Sequence, residues 1–467
     1  MTDGQPAGKQ PTGSQPTGSQ PTGSQAGSRQ AGDRRSGDAT TSALVDRLSA
    51  ICGPGFTRPA NDDDAVATVG PRWVVAPGTV GAVADVLRLS ADRGLALVTR
   101  GSGSKLHWGS PPSHVDIVLE TGRLCGVWHH PPGSTLVQVG AGTPVRAVQR
   151  TVGRTGLRIP MDPRSTSATV GGVVAADETG PLSHRHGPPG RHLVGVDYVD
   201  ATGNLVRAAP GTDDGSELPQ LLCGSQGALA VLVSTTVRLL PVPADRLWVR
   251  RQVHTPYEVR DLVGELVVAG LEPAAIELDL PGDVEPRTDP TAAGPPERHR
   301  QRPGLLAVLF EGTSEQIRRR AGRAAGLLAA DASIAAQPPS WWRRYPFAAG
   351  DVAIQLDVPA AHLHSALYAL RDAARTRVPV RGAVGTGLVH AALPGSTPPE
   401  QVDAILGAVR AVLRAHGGNC VVLDAPAPVR RAVDIWGEVP GLARLRELKQ
   451  RFDPHRRLAP GRLTGGL

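Results

Sequence analysis

No stretch of this chain holds the roughly 20 consecutive apolar residues that a bilayer-spanning helix needs. Its first residues, Met1-Thr2-Asp3-Gly4, have no basic segment leading into an apolar run, so no secretory signal is expected. Aromatic residues make up only 3 % of the chain, so Val, Leu, Ile and Ala must fill its core. The four cysteines, Cys52, Cys125, Cys223 and Cys420, stand far apart and form no CxxC pair. That argues against a zinc ribbon, an Fe–S cluster or a disulfide scaffold, and suggests reduced structural thiols in a cytoplasmic protein. Lysine occurs only at positions 9, 105 and 449, so the net charge of +7 is carried by arginine. No long basic run interleaved with aromatics accompanies it, so nucleic acid is not an expected partner. Neither GxxxxGK[ST] nor a GxSxG elbow occurs.

What is present is 467 residues with 40 % apolar content, enough for two or three domains. Residues 1–40 form a tail in which Gln recurs every fifth residue, from Gln5 to Gln30, within QPTGS-type units, a composition that predicts disorder. Amphipathic helices are expected over 42–53 and 80–94, the latter stopped by Gly94, with strands over 73–76, 95–99 and 115–120. Strands bracketing a helix, with a glycine-rich loop after one of them, suggest an α/β nucleotide-binding unit. A strand and turn (134–144), a short helix (145–156), a hairpin (194–208) turning at Thr202-Gly203-Asn204, and a β-rich run (224–243) come next. Composition shifts at 241–244. Beyond it, strands are expected near 246–254, 304–311 and 352–358, and helices near 256–269, 314–330, 359–375 and 441–452. The segment 281–304 is too polar and proline-rich to pack.

Three glycine-rich stretches stand out: Arg100-Gly101-Ser102-Gly103-Ser104-Lys105, Thr169-Val170-Gly171-Gly172, and Cys223-Gly224-Ser225-Gln226-Gly227. The first begins like GxGxxG, but Leu106 holds the third glycine position and no helix is expected after it, so the Rossmann reading fails. Successive backbone N–H groups in such a loop can form a nest for phosphate oxygens; an ordinary turn is the alternative. The paired glycines at 171 and 172 suit a close approach of another group to the backbone. Three such loops beside strands suggest one extended ligand with a pyrophosphate and a flat ring.

RGSGSKLHWG, DPRSTSATVGGVVAA, TGPLSHRHG and CGSQGALAVLVSTTVRLLP, in that order, with a closing FDP…LAPGR, resemble the PCMH-type (vanillyl-alcohol oxidase-type) FAD-binding flavoproteins, above all the FAD-binding subunit of glycolate oxidase. The resemblance implies an α/β (α+β) fold: an FAD-binding domain of two α/β subdomains over 41–243, an inserted antiparallel-sheet cap over 244–434, and a C-terminal segment, 435–467, returning to the flavin. It implies that Arg100, Gly101, Ser102, Gly103, Ser104 and Lys105 hold the pyrophosphate. Asp162, Ser165, Thr169, Gly171 and Gly172 would line the flavin and ribityl chain. Arg185, His186 and Gly187 would lie near the ring, with Val194 at the adenine or ribityl side. It further implies oxidation of a small 2-hydroxy acid such as glycolate, beside a second flavoprotein subunit and an Fe–S subunit.

The departures are specific. Ser104 stands where covalent members carry His, so FAD is expected to be non-covalent, with His107 as the exception to test. Residues 211–218 lack the Lys, Asn and Tyr of a KNxxGYD-like stretch. The metal-binding HxGDGNxH segment of catalytic members is reduced to the glycines of 382–387 and His390. No metal site is therefore expected. His390 remains as a candidate base and Arg185 as the candidate cation for a carboxylate. A non-catalytic FAD-binding assembly or electron-transfer subunit is the alternative reading. His184, His186 and His192 lack a spacing that suits a metal. His362 and His364 are expected to be solvent-exposed. Trp341-Trp342-Arg343-Arg344 reads as a packing anchor or a substrate surface. Arg444, Arg446, Lys449 and Arg451 form a basic face on the last helix, read as solvated, with contact to FAD phosphate or a partner subunit as the alternative.

Overall fold

The computed structural model describes residues 42–209, 217–283, 302–329 and 331–467. The expected disordered tail, most of the 281–304 loop and residues 211–216 of the KNxxGYD-like comparison lie outside the described residues. The chain divides into two units, Met1–Arg47 and Leu48–Leu467. In the first, residues 42–47 are helical. The sheets all belong to the second.

The first sheet orders the strands Thr57–Pro59, Trp73–Val75, Ile117–Glu120 and Leu97–Arg100. The last three run parallel, as a β–helix–β crossover requires. The crossover helix, Val80–Arg93, is capped by the Thr79 hydroxyl, which accepts from Ala82 N, and ends at Gly94 in the left-handed conformation. The second sheet is antiparallel, in the order Val127–His129, Leu136–Gly140, Val231–Arg238, Leu193–Val199, Leu205–Ala208.

The third sheet has eight antiparallel strands, in the order Ser333–Ala335, Asp245–Val253, Gly304–Gly312, Ala275–Leu280, Val380–Ala383, Leu388–Leu393, Val352–Asp357, Asn419–Asp424. Its two faces differ because side chains alternate along a strand. Val249, Ile276, Leu278, Phe310, Ile354 and Val389 belong to one large apolar core. That core also takes residues of the helices Pro256–Val268, Ser314–Leu327, Leu363–Ala374 and Pro399–Arg414. The other face is chemically different: Gln355, His390, Arg381 and Asp279 lie side by side across four strands. Glu277 sits two residues from Asp279 on the same face, opposite Ala307.

The last helix, Leu442–Phe452, leads into a segment that docks on the first sheet. Leu97 N donates to Arg457 O and Ala459 N donates to Leu97 O, both at 2.7 Å. The basic face expected on this helix splits: Arg444, Arg446 and Arg451 are exposed, whereas Lys449 is buried. Its Nζ donates to Asp453 Oδ2 and to the carbonyls of Ala228 and Leu458, each at 2.7 Å. No described helix is long and apolar enough to cross a membrane.

Candidate functional site

The strand Leu97–Arg100 delivers the first glycine loop. Among the described residues, the N–H groups of Gly101, Ser102, Gly103, Ser104 and Lys105 donate to no backbone carbonyl, leaving five consecutive donors for a ligand. Gly103 has φ +77°, a conformation that side chains with a Cβ resist. A Cβ on Gly101 would fall 2.3 Å from Thr169 Oγ1, so the first and second glycine motifs touch. The third motif closes on the same place: a Cβ on Gly227 would lie 3.7 Å from Thr99 Cβ. The Thr99 hydroxyl is buried without a partner. A concave loop of unpaired donors, hemmed by two other glycine motifs and an orphaned hydroxyl, fits a dinucleotide pyrophosphate.

The residues expected to hold the cofactor take distinct places. Arg100 does not turn into the loop; its guanidinium pairs with Asp64 (2.8 Å) and Glu120 (2.6 Å). The second motif is a helix, Val170–Ala176, rather than a loop. Thr169 caps it, accepting from Gly172 N at 3.2 Å. Gly171 N donates to Ala141 O, and a Cβ there would meet Ala141 Cβ at 2.7 Å, so the group that approaches this glycine is protein. Asp162 accepts from Leu182 N, and burial pushes its carboxyl up to about 7. Val194 is half-buried in a strand, and Gly187 has φ +85° beside Arg191.

Lys105 leaves the loop and joins a network that the sequence did not reveal. Its ammonium ion-pairs with Glu178 and donates to Ser165 Oγ at 2.8 Å. Glu178 also accepts from Ser165 N (2.9 Å) and from the Tyr345 hydroxyl (3.0 Å). Burial and the Glu178 charge hold the Tyr345 phenol well above its ordinary pKa. Trp108 and Phe347 pack on Tyr345 with ring centroids 5.3 and 4.9 Å away. His390 meets the Tyr345 ring edge-on at 4.9 Å.

His390 is 3 % exposed, and its Nδ1 has no partner. Burial, reinforced by the charges of Arg164 and Lys105, pulls its pKa well below 6.5, so the imidazole is neutral at pH 7. Arg164, also buried, grips Glu277 of the eight-stranded sheet through one nitrogen, at 3.1 and 2.9 Å. Its Nε and Nη1 are buried without acceptors. Arg185 lies elsewhere: it is exposed and donates to the Glu272 carbonyl at 3.0 Å. The guanidiniums whose charge or strand register ties them to His390 are therefore those of buried Arg164 and half-buried Arg381.

The other histidines weighed above, His184, His186, His192, His362 and His364, have structural partners. His184 hydrogen-bonds the Gly385 backbone, a contact between two stretches the sequence singled out. His186 Nε2 lies 3.2 Å from the Arg158 guanidinium; burial and that charge push its pKa down to about 4. His192 hydrogen-bonds the backbone of His186. Contrary to expectation, His362 and His364 are half-buried: one stacks on His416 with centroids 4.0 Å apart, the other packs on Tyr257 at 4.8 Å. Among the described residues, no cluster of three or more His, Cys, Asp and Glu could hold a metal.

Glu178, Arg164 and Tyr345 escaped sequence reasoning because they meet across long stretches of chain: Arg164 and Glu277 are 113 residues apart, Glu178 and Tyr345 167. The one available signal was AIELDL at 275–280, where apolar and acidic residues alternate with a strand's period.

Residues 71–209 match the family described as FAD binding domain. The D-lactate dehydrogenase of Archaeoglobus fulgidus is 28 % identical over 191 residues, 39 % of this chain and 43 % of that protein. Glycolate oxidase subunit GlcE of Escherichia coli is 26 % identical over 185 residues, 38 % of this chain and 51 % of its own length. Glycolate oxidase subunit GlcD of Bacillus subtilis is 25 % identical over 216 residues, 45 % and 46 % respectively. The chain spans about half the length of the curated relatives it matches. Among solved structures, an alkyldihydroxyacetonephosphate synthase superposes with a TM-score of 0.67 at 13 % identity, over 90 % of this chain and 84 % of that one. That likeness is one of fold.

Proposed function

Because the chain carries a PCMH-type FAD-binding domain, whose cofactor is FAD, we propose that it oxidises the carbinol carbon of a 2-hydroxy acid. The observation that carries this reading is the buried His390–Tyr345–Glu178–Lys105 network, with Arg164 and its two unpartnered donors alongside. In the proposed division of labour, 41–243 and 435–467 hold FAD and 244–434 covers it. Gly101 to Lys105 bind the pyrophosphate, with Ser165, Asp162, His186 and Gly187 toward the ring. Bound FAD supplies an acceptor for two electrons and the substrate hydrogen.

The chain's own residues do the rest. Arg164 Nε and Nη1 receive the substrate carboxylate, a charge-assisted contact that fixes the carbinol. His390, neutral at pH 7, takes the hydroxyl proton as the C–H bond breaks. Tyr345, Trp108 and Phe347 wall the site against water. The substrate hydroxyl thus loses its proton to imidazole and the carbon loses hydride, leaving a 2-oxo acid.

A second reading has one observation of its own. His390 Nδ1 meets no orienting carboxylate, which suits a subunit that holds FAD and passes electrons within a complex containing a second flavoprotein and an Fe–S subunit. Anaerobic addition of 2-hydroxy acids to the purified holoprotein separates the two. Bleaching of the flavin band that His390→Gln abolishes, with FAD still bound, supports oxidation by this chain. A band that never bleaches until a partner flavoprotein is added supports the subunit reading.

A further inference from the structure

A groove of about 1130 Å³ runs between the helix Val145–Gly153 and the strand Asp245–Val253 of the large sheet. The residues proposed above to act on the substrate, Arg164 and His390, do not line it. Asp162 and Ser165 line it, and Ser165 Oγ accepts from Lys105 at 2.8 Å, which joins the groove to the proposed reaction centre. A 2-hydroxy acid of two or three carbons displaces only a small part of such a volume, which matches the scale of sites for far larger ligands.

The lining has a definite chemistry. Ile159, Met161, Leu182 and Leu309 supply an apolar stretch. Five guanidiniums, those of Arg146, Arg150, Arg158, Arg246 and Arg343, face three carboxylates, those of Asp162, Asp245 and Glu311. Glu311 is already committed to Arg158 (2.8 and 2.6 Å) and Arg246 (2.9 Å). Arg146 and Arg150 stand exposed, four residues apart on one helix face. The groove therefore attracts negative charge.

Two donors in its wall lack acceptors. The Trp248 side chain lines the groove at 7 % exposure, and its indole Nε1 is buried without a partner. Arg343 is anchored by one nitrogen to Pro163 O at 2.6 Å, while its Nε is buried and unpartnered. Trp342, the neighbour of Arg343, packs edge-on against Trp248 with centroids 6.0 Å apart, so both donors flank one stretch of wall. A buried donor left without an acceptor is costly, and a ligand oxygen removes that cost.

We propose that this groove holds the body of the substrate, an extended 2-hydroxy acid whose apolar chain ends in a second carboxylate received by Trp248 Nε1 and Arg343. The assignment rests on the 2-hydroxy-acid reading above for the reacting end, and on the groove alone for the distal end. Arg146 and Arg150 steer the dianion inward.

The test uses the full chain with FAD bound and two probes that cannot be oxidised, suberate and octanoate, equal in length and differing by one carboxylate. Binding is followed by tryptophan fluorescence and calorimetry. Suberate should bind about tenfold or more tightly than octanoate, the scale of a charge-assisted hydrogen bond. Trp248→Phe keeps the ring and removes the donor; Arg343→Lys keeps the charge and removes Nε. Each should erase about tenfold of the suberate preference, with flavin absorbance and melting temperature unchanged. In turnover, 2-hydroxysuberate should bleach the flavin at lower concentration than glycolate. Equal binding of the two probes, or a suberate affinity untouched in Trp248→Phe, overturns the distal subsite even where short acids bleach the flavin. A suberate preference lost in Trp248→Phe supports the subsite even where no hydroxy acid is oxidised, and in that event only the oxidation reading falls.

Discussion

At the scale of single residues, three positions have separable consequences. Gly103 has room for a Cβ, since the nearest atom is Arg100 Cδ at 3.6 Å, but its φ of +77° disfavours any β-branched side chain. Gly103→Val should therefore leave the fold standing and turn the five free N–H groups away from their ligand. Flavin retained through gel filtration should fall at least tenfold while the melting temperature moves by only a few degrees; full retention would mean that the loop does not cradle phosphate. Asp162 gives a pH signature. Its carboxyl rises from 3.8 in the unfolded chain to about 7 in the fold, with burial the main cause. The folded state binds this proton more tightly, so the group's contribution is complete below about pH 4 and is lost as pH climbs toward 7. In flavin-stripped protein, Asp162→Asn should gain on the wild type in melting temperature between pH 5 and pH 8, and match it at the acid end. His390 has the opposite sense: its low pKa keeps it neutral, so the acid limb of any activity profile should lack a break near 6.5.

Elements hold surprises where charge enters a core. Lys449 ties the last helix to Ala228 and Leu458 through one buried ammonium, balanced by Asp453. Lys449→Met leaves buried Asp453 with only the backbone N–H groups of Arg457 and Leu458 and no countercharge, and removes the ammonium donor of two carbonyls, so it should cost about 3–5 kcal/mol in urea unfolding. Adding Asp453→Asn should restore part of it. The sequence placed this lysine on a solvated face because helical spacing alone cannot show which neighbours a face meets. The helices and strands of 73–120 were legible for a local reason: each has its own cap, glycine stop or apolar run. The strands Ala275–Leu280, Val380–Ala383, Leu388–Leu393 and Asn419–Asp424 and the helix Pro399–Arg414 went unread. Two of those strands carry Glu277 and His390, polar residues that interrupt an apolar run. The glycine loops and His390 were singled out from sequence. Arg164, Glu178 and Tyr345 were not, since each acquires its role only when the large sheet meets the first glycine loop and the stretch 162–178.

For the whole molecule, FAD belongs to the folded state alone and should stabilise it by mass action. At free FAD about 100-fold above Kd the gain is about 2.7 kcal/mol, visible as a concentration-dependent melting temperature. Ser104 offers no nucleophile of the covalent kind, so acid precipitation should leave all the flavin in the supernatant, and yellow pellet would implicate His107. The pairing of Leu97 with Leu458 has a consequence in time. The strand that presents the first glycine loop gains this neighbour some 360 residues after its own synthesis, roughly 20–70 s later on a ribosome. Until then the loop hangs from an unfinished sheet edge. A nascent chain stalled at residue 440 should hold no flavin, and release of the finished chain should be the moment at which colour develops.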